Sequence, residues 1–171
     1  MPVFTPIPHD DFVAQIHTLA AELAKGGWTP SFIIGIGRGG LAPAVYLSHA
    51  TGLPMLSVDH SSKVEDFSDA PLIRLAARTR DGERLLFVDD INDTGATIGK
   101  LRAALATAGA ARDSIRFATL LDNKRSSETV EYRAEVIDRN VQKDWFVFPW
   151  EAVAPMDSLE ADAAEVPERT A

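Results

Sequence analysis

Cysteine is missing altogether from this chain of 171 residues, which excludes disulfides, thiolate metal ligands and a cysteine nucleophile. Long apolar runs are missing too, and none approaches the roughly 18 residues that a membrane-spanning helix needs. Positive charge is scarce: 17 Lys and Arg stand against 25 Asp and Glu, a net charge of −8. That sign is wrong for a protein that works by neutralising nucleic-acid phosphates, so no nucleic-acid partner is expected. The opening MPVFTPIPHDDF has neither the basic start nor the apolar centre of a signal peptide, and a cytoplasmic protein without membrane association is the expectation. No internal repeat appears. What is present is a 46% hydrophobic composition in a length suited to one domain.

Charge is unevenly spread. From Glu151 onward six acids face one base, Arg169, whereas the first 150 residues carry a net charge of only −3. The end of the chain is rich in Ala, Pro and acids and poor in large apolar residues, a composition that does not offset the entropy of ordering. The expected organisation is one folded domain over residues 1–151 and an acidic, disordered tail over 152–171.

Hydrophobic spacing alternates between helix and strand. Asp10 or Asp11 can cap a helix carrying Phe12, Ile16, Leu19, Ala20 and Leu23 on one face, which Gly26-Gly27 ends. Phe32 to Ile36 reads as a strand buried on both faces, Leu41 to Thr51 as a helix stopped by Gly52, and Met55 to Val58 as a second strand. His60 to Pro71 is polar and aperiodic, so a loop is expected there, followed by a short strand at Leu72–Leu75. Leu85 to Val88 is another strand, Thr94 to Ala108 a helix with Ile98, Leu101 and Leu105 on one side, and Ile115 to Leu121 a further strand. This alternation predicts an α/β single domain, with a central, mainly parallel twisted sheet flanked by helices. Ligands of such sheets bind beyond the carboxyl ends of the strands.

Two loops in that position carry chemistry. Gly35-Ile36-Gly37-Arg38-Gly39-Gly40 fits G-x-G-x-x-G between a strand and a helix, with Asp59 standing 19 residues after Gly40. By itself this is the pattern of a dinucleotide site, or of a tight turn that needs glycine for its backbone angles. Arg38 adds a bidentate donor suited to phosphate oxygens. The second loop, Asp89-Asp90-Ile91-Asn92-Asp93-Thr94-Gly95-Ala96-Thr97, follows four apolar residues and leads into a helix. Thr94 to Thr97 offer N–H groups and hydroxyls at a helix N-terminus, a cradle for a phosphate dianion. Asp89 and Asp90 would repel that phosphate, so they face either sugar hydroxyls or a hydrated Mg²⁺. Asp93, nearer the cradle, is placed to exchange a proton with a reacting group. A dinucleotide reading leaves this second loop unexplained.

LLFVDDINDTGAT, residues 85–97, resembles the signature of the type I phosphoribosyltransferases, which use 5-phosphoribosyl-1-pyrophosphate (PRPP). IIGIGRGGLAPA resembles the pyrophosphate loop of the bacterial xanthine-guanine and hypoxanthine branch, SVDH (Ser57 to His60) the entrance to its mobile loop, and DWFVFPWE (Asp144 to Glu151) its base-binding segment. The resemblance implies that Asp89 and Asp90 bind the ribose hydroxyls, partly through Mg²⁺. It makes Asp93 the general acid/base at purine N7, and Asp93, Thr94, Gly95, Ala96 and Thr97 the 5′-phosphate loop. Gly37, Arg38 and Gly39 would hold pyrophosphate. Lys124 would contact the exocyclic oxygen at C6, Trp145 would stack on the base, and Asp144 or nearby backbone would read its 2-substituent. A small C-terminal base-binding hood and a homo-oligomer, dimer or tetramer, are implied as well.

The function so implied is purine salvage, in which a 6-oxopurine displaces pyrophosphate from PRPP. A phosphoribosyltransferase for a pyrimidine or unusual base, and a non-catalytic PRPP-sensing regulator, are the alternatives. Two departures from the family pattern stand out: Asn92 occupies a position usually apolar or Thr, and Asp122-Asn123 lengthen the approach to Lys124. In the mobile loop, Lys63 is the one cation and would be the pyrophosphate contact from that side.

Overall fold

The computed structural model describes residues 2–59 and 69–164. Its first strand, β1 (Phe4–Pro6), is followed by helix α1 (His9–Lys25), then β2 (Phe32–Gly37), α2 (Leu41–Thr51), β3 (Met55–Asp59) and α3 (Asp69–Arg80). The second half runs β4 (Leu85–Asn92), α4 (Ala96–Thr107), β5 (Ile115–Asn123), β6 (Tyr132–Ile137), β7 (Trp145–Val147) and α5 (Met156–Ala164). Five strands form a wholly parallel sheet in the order β3-β2-β4-β5-β6, and β1 pairs with β7 in a separate parallel ribbon.

Both faces of the large sheet are covered, which is why its central strands are apolar without interruption. On one side Phe12, Ile16, Leu19 and Leu23 of α1 and Ala44 and Leu47 of α2 pack on Ile33, Leu86 and Val88. On the other, Leu72 and Leu75 of α3 and Ile98, Leu101 and Leu105 of α4 pack on Ile34, Phe87 and Phe117. Successive residues Leu85 to Val88 thus alternate between the two cores, the period of a strand.

Most of the expected elements form within a residue or two of their expected bounds, and three do not behave as expected. Leu72–Leu75 is not a strand: it lies in α3, where Leu72, Leu75, Ala76 and Thr79 are buried at helical spacing. A four-residue window sees only Leu72 to Leu75, and the period becomes visible once Ala76 and Thr79 are included. The loop expected from His60 gives way to this helix at Asp69; Lys63 and the rest of residues 60–68 lie outside the described residues. Finally, residues 156–164 of the expected disordered tail form α5, with Leu159 and Ala163 buried. Two apolar side chains four apart suffice to anchor one side of an otherwise acidic helix. Residues 165–171 lie outside the described residues.

Candidate active site

The chain leaves β2 on one side to reach β3, then crosses back over β2 to β4 and continues outward through β5. The crevice beyond the carboxyl ends of β2 and β4 is therefore the topological switch point, where ligands of such sheets bind. Both candidate loops open onto it, Gly37–Gly40 from β2 and Asp89–Thr97 from β4.

The two loops touch. A Cβ on Gly39 would run into the carboxylate of Asp90, and one on Gly40 into the carbonyl oxygen of Val88. Gly40 donates its N–H to the Ile36 carbonyl at 2.8 Å, closing the turn before α2, and the Gly37–Arg38 peptide is cis. Arg38 is exposed at the loop tip.

Asp89 and Asp90 remain in strand β4 and are half-buried. Asp89 Oδ1 accepts the Asp90 N–H at 3.0 Å, and Asp90 Oδ1 accepts the Ile91 N–H at 2.7 Å. Burial and the neighbouring Asp90 charge push the Asp89 carboxyl well above its ordinary range. Burial, followed by the charge of Glu151, pushes Asp90 up to about 7. Glu151, which received no site role from the sequence, thus belongs to this crevice. Its own carboxyl is raised mainly by burial, while it accepts the Phe148 N–H at 2.9 Å and feels the Arg38 charge. The sequence signal for Glu151 was its place at the end of DWFVFPWE, without any indication that the segment turns back toward β4.

Gly95 adopts φ +90° as the N-cap of α4 and offers no side chain to the helix end, so the first turn presents N–H groups to the crevice. Thr94 turns its hydroxyl to accept the Ala96 N–H at 3.2 Å. Behind this turn, Ser127 donates its N–H and hydroxyl to the Thr94 carbonyl at 3.1 and 2.8 Å. A Cβ on Gly95 would strike the Ser127 hydroxyl, so the residue is held to glycine by space as well as by φ.

The two departures noted in the sequence satisfy each other. Asn92 on β4 lies opposite Asp122 on β5 and donates to its Oδ1 at 2.9 Å; the same amide donates to the Glu128 carbonyl at 2.7 Å and accepts from Ser126 at 2.9 Å. Arg133 supplies the charge partner of Asp122 at 3.0 Å. Asn123 donates to the Asp93 carbonyl at 2.9 Å and to its Oδ1 at 3.3 Å.

Asp93 is 8% exposed and meets a residue the sequence did not single out, Arg139. Arg139 Nε and Nη2 lie 3.0 and 2.9 Å from Asp93 Oδ2. Its neighbour Asp138 holds Lys124 Nζ at 2.7 Å, and that contact is the main cause of the lowered Asp138 carboxyl. Lys124 is therefore beside the site but engaged, one residue from the asparagine that braces Asp93. Trp145 is half-buried at the start of β7; Asp144 spends Oδ2 on the Thr5 hydroxyl at 2.7 Å and its carbonyl on Arg139 at 2.6 Å. The rest of the aromatic segment is core: Val147 and Phe148 are buried, and Phe148 stacks on Trp150, which packs edge-on against Phe12.

A parallel sheet thus brings a glycine-arginine loop and an acid-lined helix N-terminus to face one another at its switch point. The phosphoribosyl transferase domain family matches residues 8–154. The chain is 31% identical over 139 residues to the xanthine-guanine phosphoribosyltransferase of Idiomarina loihiensis, covering 78% of this chain and 74% of that one. It superposes on a purine phosphoribosyltransferase from Pyrococcus horikoshii with a TM-score of 0.63 and 25% identity, over 90% of this chain and 97% of that one. The xanthine-guanine-hypoxanthine phosphoribosyltransferase of Helicobacter pylori, 16% identical, shares the fold with a TM-score of 0.65, over 92% of this chain and 99% of that one. The chain belongs to the phosphoribosyltransferase family and is an enzyme of that class. Among the described residues no helix is long and apolar enough to cross a membrane.

Proposed function

We propose that the enzyme transfers the 5-phosphoribosyl group of PRPP to a 6-oxopurine, xanthine, guanine or hypoxanthine, in cytoplasmic purine salvage. The observation that carries this is the opposition of the two loops across one crevice, one suited to a pyrophosphate and the other to a ribose 5-phosphate. The base-binding names of the relatives above support a purine as the acceptor.

In this reading Gly37, Arg38 and Gly39 hold the pyrophosphate. The N–H groups and hydroxyls from Thr94 to Thr97 wrap the 5′-phosphate at the N-terminus of α4. Asp89 and Asp90 face the ribose hydroxyls. They also fit Mg²⁺: two adjacent, half-buried carboxylates with raised proton affinity are short of positive charge, and among the described residues no cluster of three or more His, Cys, Asp or Glu could hold a metal. An ion bound by two carboxylates would take its remaining oxygens from substrate and water, as Mg²⁺ commonly does. When bound, Mg²⁺ supplies charge that stabilises the leaving pyrophosphate.

The base nitrogen forms the bond to ribose C1 as the C1–O bond to pyrophosphate breaks, the electron pair leaving with pyrophosphate. The proton at purine N7 passes to the Asp93 carboxylate. Arg38 stabilises the departing charge, while the acids near the ribose favour the cationic character of C1 in the transition state. Trp145 stacks on the base, Asp144 or adjacent backbone reads the 2-substituent, and Lys124 contacts the oxygen at C6, exchanging Asp138 for the base.

Pyrophosphate release from PRPP and Mg²⁺ tests this against hypoxanthine, guanine, xanthine, adenine, uracil and orotate. Base-dependent release with an oxopurine supports it. Release with only a pyrimidine, or silence across the panel while PRPP still raises the melting temperature, overturns it in favour of another base or of a PRPP-binding regulator.

A further inference from the structure

The loop at the head of α4 contains a peptide whose direction its own residues do not fix. Gly95 adopts φ +90°, and a residue without Cβ takes positive and negative φ alike, so the Thr94–Gly95 peptide can turn over at little steric cost. A trans peptide carries its C=O and N–H in opposite directions. Turned one way, this one offers the crevice a donor; turned the other way, it offers the negative end of a carbonyl, which repels an anion. The Ala96 N–H is already accepted by the Thr94 hydroxyl at 3.2 Å, so the direction of the Gly95 N–H weighs the more on what the loop can hold.

The connection between β5 and β6 fixes it. Ser127 donates its N–H and its hydroxyl to the Thr94 carbonyl, at 3.1 and 2.8 Å, which holds that oxygen behind the loop and aims the Gly95 N–H forward into the crevice. Ser127 is itself held from both sides. Ser126 donates its hydroxyl to Asn92 Oδ1 at 2.9 Å and accepts the Glu128 N–H at 3.2 Å. Glu128 pairs with Arg102 of α4, whose Nη2 also donates to the Thr129 carbonyl at 2.8 Å. The connection is thus pinned both to the strand that precedes the loop and to the helix that follows it. We propose that Ser127 is a positioning residue for the 5′-phosphate: its two donors set the Thr94–Gly95 peptide so that an N–H, and not a carbonyl oxygen, meets the phosphate. The hydroxyl is the part that depends on the residue type, since every residue but proline supplies the N–H. The inference rests on the reading of Thr94–Thr97 as the 5′-phosphate loop.

The test is calorimetric titration of Ser127→Ala, Ser127→Thr and Ala96→Asp with ribose 5-phosphate, pyrophosphate and PRPP in the presence of Mg²⁺, together with steady-state kinetics and urea unfolding of each. Ser127→Ala is expected to bind ribose 5-phosphate and PRPP about fivefold more weakly, the worth of one hydrogen bond. KM for PRPP should rise by a similar factor with kcat and the KM for the base unchanged, because the phosphate anchors ground state and transition state alike. Pyrophosphate, held by the other loop, should bind as it does to the native protein, and Ser127→Thr, which keeps the hydroxyl, should restore the affinity for ribose 5-phosphate. Ala96→Asp sets a carboxylate at an exposed position in the first turn of α4, where the helix tolerates it but a phosphate does not; it should abolish binding of ribose 5-phosphate. If Ser127→Ala does not fold, Ser127→Gly carries the same test. Native affinity for ribose 5-phosphate in Ser127→Ala, beside its loss in Ala96→Asp, overturns the role of Ser127 and leaves the phosphate loop standing. Equal weakening of pyrophosphate, or a Ser127→Thr variant as weak as Ser127→Ala, also overturns it. Native affinity for ribose 5-phosphate in Ala96→Asp removes instead the reading on which the proposal rests.

Discussion

Asn92 and Asp122 face each other across adjacent parallel strands, β4 and β5, and close with a 2.9 Å hydrogen bond in a region where each is at most 4% exposed. Neither could be exchanged alone without cost. An apolar residue at 92 strips Asp122 of a neutral donor and leaves its charge to Arg133, while also leaving the Glu128 carbonyl and the Ser126 hydroxyl without their partner. Asn92→Leu is expected to lower stability by about 2 kcal/mol. In a double-mutant cycle with Asp122→Asn, urea unfolding should show coupling of about 1 kcal/mol; strict additivity would mean that the pair does not act as a unit.

The glycine loop yields a contrast between neighbours. At Gly40 an added methyl meets the Val88 carbonyl, which is part of β4 and cannot retreat without disturbing the sheet. Gly40→Ala is therefore expected to cost about 2 kcal/mol or more in unfolding experiments. At Gly39 the obstacle is the Asp90 side chain, which can rotate away. Gly39→Ala should unfold within about 1 kcal/mol of the native protein yet bind PRPP at least about tenfold more weakly, because Asp90 is displaced from the ligand. Equal effects on stability would contradict this assignment of the two contacts.

The Asp90 carboxyl, raised from its ordinary 3.8 to about 7 by burial and then by Glu151, makes stability depend on pH. The folded protein binds this proton more tightly than the unfolded chain does. The associated stability is fully present below pH 3.8 and is lost as pH rises through 7. Asp90→Asn, neutral at every pH, should melt close to the native protein near pH 4 and above it at pH 8, by ~5 °C in the ligand-free state. Mg²⁺ should stabilise the native protein more at pH 8 than at pH 5. Parallel melting curves for the two proteins from pH 4 to 8 would show that Asp90 is not strained by its surroundings.

Helix α5 is acidic on its exposed side, and Leu159 and Ala163 are its two buried anchors. Leu159→Ala is expected to destabilise the domain by about 2 kcal/mol, read by thermal or urea unfolding. An unchanged midpoint would mean that the helix contributes nothing to the domain.

Strands β2 to β5 and their loops were legible because each is an apolar run ended by a glycine or an acid, and helices α1, α2 and α4 were legible because each repeats over three turns or more. Leu72–Leu75 misled because so short an apolar run carries no period of its own. β6 and β7 were not legible: Tyr132–Ile137 sits at the sheet edge with Glu135 and Val136 exposed, and the three residues of β7 are a strand only because β1 pairs with them. The chemistry-bearing loops were likewise visible in sequence, since phosphate cradles are local. Arg139 and Glu151 were not, because each reaches its partner, Asp93 or Asp90, across more than 40 residues. Asn92 and Asp122-Asn123 stood out singly as departures, and only the strand register makes them partners.

The most direct measurement is chromatographic identification of the product formed from PRPP, Mg²⁺ and each of xanthine, guanine and hypoxanthine, by the native enzyme and by Asp93→Asn. The expected result is the matching purine nucleoside 5′-monophosphate, in amounts equal to the pyrophosphate released, with the Asp93→Asn rate lower by about 100-fold or more. Ribose 5-phosphate in place of a nucleotide, or a nucleotide formed equally fast by Asp93→Asn, would contradict base transfer through this site.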